Sequence, residues 1–251
     1  MKGVETMGKL EGKTAIITGA SSGIGAETAR LFASEGANVI LVARNKERSE
    51  KIAESIREKN GNAQFFSCDI RDEQNVHELG EKIRQCYDGI DILFNNAGVF
   101  LTSTLEDLNY EDWNLSFRTN VDGTMFMLKE FMPMLIKNNG NIVNNASVSG
   151  LHSWTSGTKN YMIGASKAAV IKLSNLCALN YAGKVRVNCI CPGVVDTEIF
   201  TNRDFSRFNG VIPIGYIAKP IDVAKVVLFL SSDDAAYVTG AVIPVDGGMS
   251  L

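Results

Sequence analysis

Patterned cysteine, histidine and long apolar runs are what this 251-residue chain lacks. Its five cysteines (Cys68, Cys86, Cys177, Cys189 and Cys191) form no C-x-x-C, and His77 and His152 are the only histidines. No metal site and no disulfide framework are therefore expected, and the thiols fit a reducing compartment. Charge of one sign is also missing. A net charge of −3 and a pI near 5.5 argue against nucleic acid or an anionic membrane surface as partner. The opening MKGVETMGKLEGK has no apolar segment and does not read as a signal peptide. No later stretch of ~18 apolar residues suggests a membrane span. The expectation is a soluble, cytoplasmic protein with residues 1–9 as a frayed extension. Internal repeats, low-complexity tracts and linkers are absent as well.

What is present is alternation. At 45% hydrophobic, the chain suits one domain over residues 1–251. Thr14–Thr18 is a short β-branched run ending in a Gly-rich turn. Behind it Ile24, Thr28, Leu31 and Phe32 recur on one helical face, and Gly36 stops that helix before the strand Asn38–Ala43. The cycle continues with a helix at 46–59, a strand at 63–68, a helix at 72–87 and a strand at 90–95. A long helix near 110–136, a strand at 141–146, a helix near 161–182 and a strand at 185–191 follow. A helix near 221–231 and a strand at 241–245 close the chain. Apolar strands alternating with helices predict an α/β fold, a doubly wound parallel sheet covered on both faces. The long irregular stretch 193–219 reads as a substrate loop or lid.

Chemistry is first legible in Thr18-Gly-Ala-Ser-Ser-Gly-Ile-Gly25, which joins the first strand to the first helix. Gly19 permits a tight turn, Gly23 lets backbone approach a phosphate, and Gly25 lets the helix pack closely on the sheet. A pyrophosphate would meet the backbone N–H groups of Ser21, Ser22, Gly23 and Ile24 at the positive helix end.

Together with Asn95-Asn-Ala-Gly98, Asn120, Ser147, the Ala-Ser-Lys ending at Lys167 and Pro192-Gly193, this turn resembles the short-chain dehydrogenase/reductase family. The motifs stand in family order over about residues 10–250. The resemblance implies a Rossmann-like sheet of about seven strands in the order 3-2-1-4-5-6-7, and hydride transfer with a nicotinamide. It places Asp69 and Ile70 beside the adenine, and Asn95, Ala97 and Gly98 along the adenosine. Lys167 would hold the nicotinamide ribose, and Pro192, Gly193, Val195 and Thr197 would cover the carboxamide.

The choice of nicotinamide rests on the second strand, which ends Val42-Ala43-Arg44-Asn45 with no acid for a ribose 2′-hydroxyl. The Arg44 guanidinium suits a 2′-phosphate, with Lys46 and Arg48 adding positive charge. NADP is expected, with NAD the lesser alternative.

Reducing a ketone leaves an alkoxide that needs a proton, which a Tyr hydroxyl can give when a cation lowers its pKa. The resemblance assigns Ser147 to the carbonyl oxygen, Lys167 to the cationic field and Asn120 to a proton relay. The fourth member is out of place. In Tyr161-Met-Ile-Gly-Ala-Ser-Lys167, the position four before Lys167 is Ile163. Tyr161 is six before, so a regular helix would turn it about 120° away. It nonetheless follows a loop, and its distance from Ser147 fits the family better than that of Ile163. The expectation is therefore that Met162-Ile163 is an insertion absorbed by a bulge or a shifted helix start, leaving Tyr161 as proton donor beside Asn120, Ser147 and Lys167.

After Asp196, the residues Ile199, Phe200, Phe205, Phe208, Val211 and Ile212 point to an apolar pocket for a small-molecule alcohol or ketone, such as a hydroxysteroid. A 3-oxoacyl thioester is the rival substrate, and a catalytically weak NADP(H)-binding sensor the rival function. Met125-Phe-Met-Leu128 with Phe131, Met132, Met134 and Leu135 is apolar around more than one helical face. A homodimer or homotetramer is therefore expected.

Overall fold

The computed structural model describes residues 8–152, 159–199, 205–208 and 210–251. Seven parallel strands carry the fold: β1 (Thr14–Thr18), β2 (Asn38–Ala43), β3 (Asn62–Ser67), β4 (Ile92–Asn95), β5 (Asn141–Asn145), β6 (Arg186–Pro192) and β7 (Val242–Val245). Their order is β3-β2-β1-β4-β5-β6-β7, as the sequence motifs implied. Between them run α1 (Gly23–Ser34), α2 (Lys46–Arg57), α3 (Glu73–Cys86), α4 (Tyr110–Phe117), α5 (Gly123–Lys137), α6 (Tyr161–Asn180) and α7 (Pro220–Ser231).

The strands are short apolar runs because both faces are covered. Adjacent residues point to opposite sides of the sheet. Ile17, Leu41, Phe94 and Val143 join a core with α1 and α7, while Ile16, Ile40, Leu93 and Ile142 join one with α3 and α5. β1 lies between β2 and β4, so the chain reverses direction of travel beside it. The loops leaving β1 and β4 diverge there and open a crevice at the carboxyl ends of the strands.

Four expectations are corrected. The long helix near 110–136 is three pieces, with a π-helical turn at Arg118–Asp122 between α4 and α5. The extra residue in that turn carries Asn120 inward, fully buried. Second, the apolar surplus of α5 is absorbed within the chain: Met127, Leu128, Phe131, Met132, Met134 and Leu135 are all buried, and Met125 remains exposed. Third, α6 is long and apolar enough to cross a membrane, with an 18-residue window of mean hydropathy 1.3. Here it lies on the sheet with Ser166, Lys167 and Ser174 buried, a polar set suited to a site. Finally, residues 8 and 9 of the expected extension are tied down. Lys9 N donates to Glu35 Oε2 at 2.8 Å, and its ammonium pairs with Asp234.

The stretch 193–219 is anchored at its base, where Asp196 N donates to Ala218 O at 2.8 Å. Its described residues hold one three-residue 3₁₀ turn, Ser206–Phe208. Phe200 lies outside the described residues.

Candidate active site

The crevice beside β1 is a cavity of about 1260 Å³ running from the end of β2 to the start of α6. That exceeds the roughly 1,000 Å³ upper range for a single small-molecule site, so a dinucleotide and a second ligand can share it.

At its centre the glycine turn is dictated by crowding. Gly19 has φ +64°, and a Cβ there would lie 2.9 Å from Ala97 Cα. A Cβ on Gly25 would come within 2.6 Å of Asn96 Nδ2 and closer still to the Gly19 carbonyl. Gly25 therefore lies beneath the cavity and serves packing, while Gly19, Ser21, Ser22, Gly23 and Ile24 line it. Ser22 is the extended N-cap of α1, and its side chain makes no capping bond. The first-turn N–H groups of α1 are thus left without a side-chain acceptor, facing the cavity at the positive end of the helix. This is a seat for an anion such as a pyrophosphate, and a dinucleotide fits it.

The loop after β4 holds that turn in place. Thr18 Oγ1 accepts from Asn96 N at 2.9 Å and Ala97 N at 3.0 Å, and Asn96 Nδ2 donates to Thr18 O at 3.0 Å. Asn96 lines the cavity with Ala97 and Gly98. Asn95 does not, contrary to expectation. Successive strand residues face opposite ways, and Asn95 Nδ2 donates to Asn144 Oδ1 inside the sheet at 2.9 Å. The doubled Asn in the motif was the available signal, and the strand parity needed to choose between them was not.

At the β2 end, Arg44 lines the cavity and makes no ion pair among the described residues. Asn45 caps α2, its Oδ1 accepting from Arg48 N at 3.0 Å. The Arg48 guanidinium is instead paired with Glu198 across the cavity mouth. Asp69 and Ile70 line the wall. The Asp69 carboxylate is gripped by Arg71, with Nε to Oδ1 at 2.9 Å, and that hydrogen bond holds it below the usual carboxylate range. Burial pushes the neighbouring Cys68 thiol up to about 12, leaving it inert at neutral pH.

At the opposite end, Ser147 follows β5, and its Oγ accepts from Ser149 N at 3.1 Å. Its own hydrogen has no acceptor among the described residues, so it can donate into the cavity. Lys167 rises from α6, only 6% exposed, and Nζ donates to the Asn145 carbonyl at 2.6 Å. Burial lowers its pKa from 10.5 to about 8. Gly98 keeps the approach open, because a Cβ there would lie 3.2 Å from Lys167 Nζ and 2.9 Å from Asn120 Oδ1. Asn120 does not itself line the cavity. Its Oδ1 accepts from Val99 N at 2.8 Å and its Nδ2 donates to Ser166 Oγ at 3.0 Å. It braces the loop carrying Gly98 against α6.

Tyr161 is the main correction. It is the first residue of α6, 45% exposed, and does not line the cavity. Ile163 does, and is 3% exposed. Neither the expected bulge nor a later helix start forms: α6 is regular from Tyr161 onward, with Gly164 N bonded to Asn160 O at 2.8 Å. A regular helix puts the residue four before Lys167 on its face, and that residue is Ile163.

On the far side, Pro192, Gly193, Val195 and Thr197 line the cavity as expected from their place after β6. Of the apolar candidates beyond, Ile199, Phe208 and Val211 face it, while Ile212 is buried elsewhere and Phe205 does not reach it. Phe100, Thr102 and Met249 complete this wall, with Lys159 exposed at the rim. These were missed in the sequence because they lie outside the motifs.

A family model described as enoyl-(acyl carrier protein) reductase matches residues 19–250. The 3-oxoacyl-(acyl-carrier-protein) reductase FabG of Thermotoga maritima is 39% identical over 248 residues, covering 97% of this chain and 100% of that protein. A short-chain type dehydrogenase/reductase from Mycobacterium marinum superposes with a TM-score of 0.91 at 31% identity, covering 96% of each chain. The Pseudomonas aeruginosa RhlG/NADP active-site complex gives a TM-score of 0.90 at 29% identity, covering 96% of this chain and 98% of that one.

Proposed function

The chain belongs to the short-chain dehydrogenase/reductase family of oxidoreductases acting on carbonyl and CH–OH groups, and from that premise we propose that it is an NADP(H)-dependent reductase of apolar ketones. The convergence of an uncapped helix end, Arg44, Ser147 and Lys167 on one cavity carries this reading. With its pyrophosphate at the glycine turn, the cofactor would supply hydride to the carbonyl carbon. The chain does the rest. Backbone N–H groups of Ser21–Ile24 would hold the pyrophosphate, and Arg44 would take the 2′-phosphate. The Ser147 hydroxyl donates to the carbonyl oxygen and fixes its orientation. The apolar wall of Phe100, Ile163, Ile199 and Phe208 excludes water from the reacting end.

A 3-oxoacyl thioester is the first substrate class, supported by the Thermotoga relative and by Lys159 at the rim, where a long polar carrier arm would leave the cavity. The apolar wall also favours a bulky ketone such as an oxosteroid as the second reading. Oxidation of NADPH at 340 nm with 3-oxoacyl thioesters, oxosteroids and keto sugars tests the proposal, and turnover confined to the sugars would refute it. The family's habit of oligomerising, with exposed Tyr110, Met125, Leu176 and Leu179 on α4, α5 and α6, supports a homo-oligomer. Light scattering at micromolar concentration should give at least a dimer.

A further inference from the structure

We propose that Lys167 itself is the proton donor of this site, its ammonium taking the part for which no hydroxyl is present on the facing helix turn. The inference rests on the reductase reading above. Ile163 occupies the position on α6 that faces Lys167 across one helical turn, is buried, and lines the cavity. Its side chain holds no transferable proton. Tyr161 stands outside, in solvent. Among the described residues of this end, the groups able to give a proton are thus Ser147, Ser149, Thr102, Thr119, Thr197, Lys159 and Lys167. A serine or threonine hydroxyl is far too weak an acid near neutral pH, and Ser147 is needed on the carbonyl oxygen. Lys159 is exposed at the rim, with an ammonium free to turn to solvent.

Lys167 is differently placed. No carboxylate pairs with it among the described residues, so its charge is not neutralised by a salt bridge. One N–H is fixed on the Asn145 carbonyl at 2.6 Å, which leaves two protons to direct. Gly98 removes the side chain that would otherwise cover Nζ. The titratable groups facing it are the Cys189 and Cys191 thiols of β6, each of which favours the ammonium when ionised. The α6 turn, the π turn and the β4 loop contribute Ser166, Asn120 and Gly98, none of them charged. Burial brings the acid near working pH, where a general acid is most effective.

The balance is simple. The carbonyl carbon gains hydride from NADPH, and the carbonyl oxygen bonds a proton leaving Lys167 Nζ. The N–H electron pair stays on nitrogen, and the neutral amine regains its proton from water. Ile163 keeps the space between them free of a competing hydroxyl.

The test uses the full chain with NADPH and whichever carbonyl it turns over, in wild type, Tyr161→Phe, Lys167→Met and Lys167→Arg. Tyr161→Phe should retain kcat, whereas Lys167→Met should lose about 10²–10⁴-fold, the usual worth of a general acid. The loss of kcat in Lys167→Met should persist at NADPH concentrations that saturate the variant, as read by fluorescence, so that a weaker grip on the nicotinamide ribose is told apart from a lost acid. Reduction by wild type should slow as pH rises through about 8, since the acid must be protonated. Lysine side-chain NMR on the free protein should show a group titrating there that vanishes in Lys167→Met. Loss of turnover in Tyr161→Phe, survival of turnover in Lys167→Met, or a lysine titrating at the usual value would each overturn the proposal alone. NADPH binding with no carbonyl reduced by wild type would overturn it together with the reductase reading.

Discussion

Replacing Lys167 by Met is expected to stabilise the free protein at neutral pH, because the ammonium is held at the site against its preference for water. The gap between the usual 10.5 and about 8 corresponds to roughly 3 kcal/mol against the charged form. Below about pH 8 both folded and unfolded chains carry the proton, and the full cost is present. Between about 8 and 10.5 the unfolded chain binds more protons than the folded one, so stability rises with pH and the cost is relieved. Methionine has nearly the same length and no charge, but it forfeits the bond to the Asn145 carbonyl, worth about 1 kcal/mol net. The variant should therefore be about 2 kcal/mol more stable at pH 7. At roughly 2–4 °C per kcal/mol for a chain of this size, Tm should rise by about 4–8 °C. The advantage should vanish or reverse by about pH 10.5, while titrations common to both proteins cancel in the difference. Paired melts followed by far-UV circular dichroism from pH 7 to 10.5 would measure it. A variant that melts at or below wild type at pH 7, or a gap that does not shrink with pH, would refute the reasoning.

Arg44→Asp should shift the ratio of kcat/KM from NADPH toward NADH, since a carboxylate accepts from a ribose 2′-hydroxyl and repels a 2′-phosphate; an unchanged ratio would remove Arg44 from the cofactor site. Gly25→Ala should cost about 1–3 kcal/mol and weaken NADPH binding measured by fluorescence titration, because the new methyl drives α1 off the Gly19 carbonyl. Phe94→Ala opens a hole beneath β4, where the ring is fully buried, and should cost about 3–5 kcal/mol in urea titration without touching a cavity-lining residue.

The sheet was legible because both of its faces are buried. Runs such as Thr-Ala-Ile-Ile-Thr and Asn-Val-Ile-Leu-Val-Ala have few alternatives to a parallel core strand, and their strand bounds agree with the sequence reading. The glycine turn was legible for a similar reason: Gly19 and Gly25 stand where a Cβ would strike neighbouring backbone, so the residue type itself reports the contact. Other features depend on rotation and on partners distant in sequence. The π turn at Arg118–Asp122 is a registry event within a continuous helical pattern, and only the bonds from Asn120 to Val99 and Ser166 reveal it. Asn95 and Asn96 are alike in composition but separated by strand parity. The charge state of Lys167 is set by burial against β5 and β6, which lie far along the chain. Tyr161 shows the division most plainly. Sequence spacing left open whether the two extra residues loop out before the helix or enter it. The tertiary structure decided the matter by continuing α6 back to Tyr161, because helical hydrogen bonds and the burial of Met162 and Ile163 outweigh the placement of one hydroxyl.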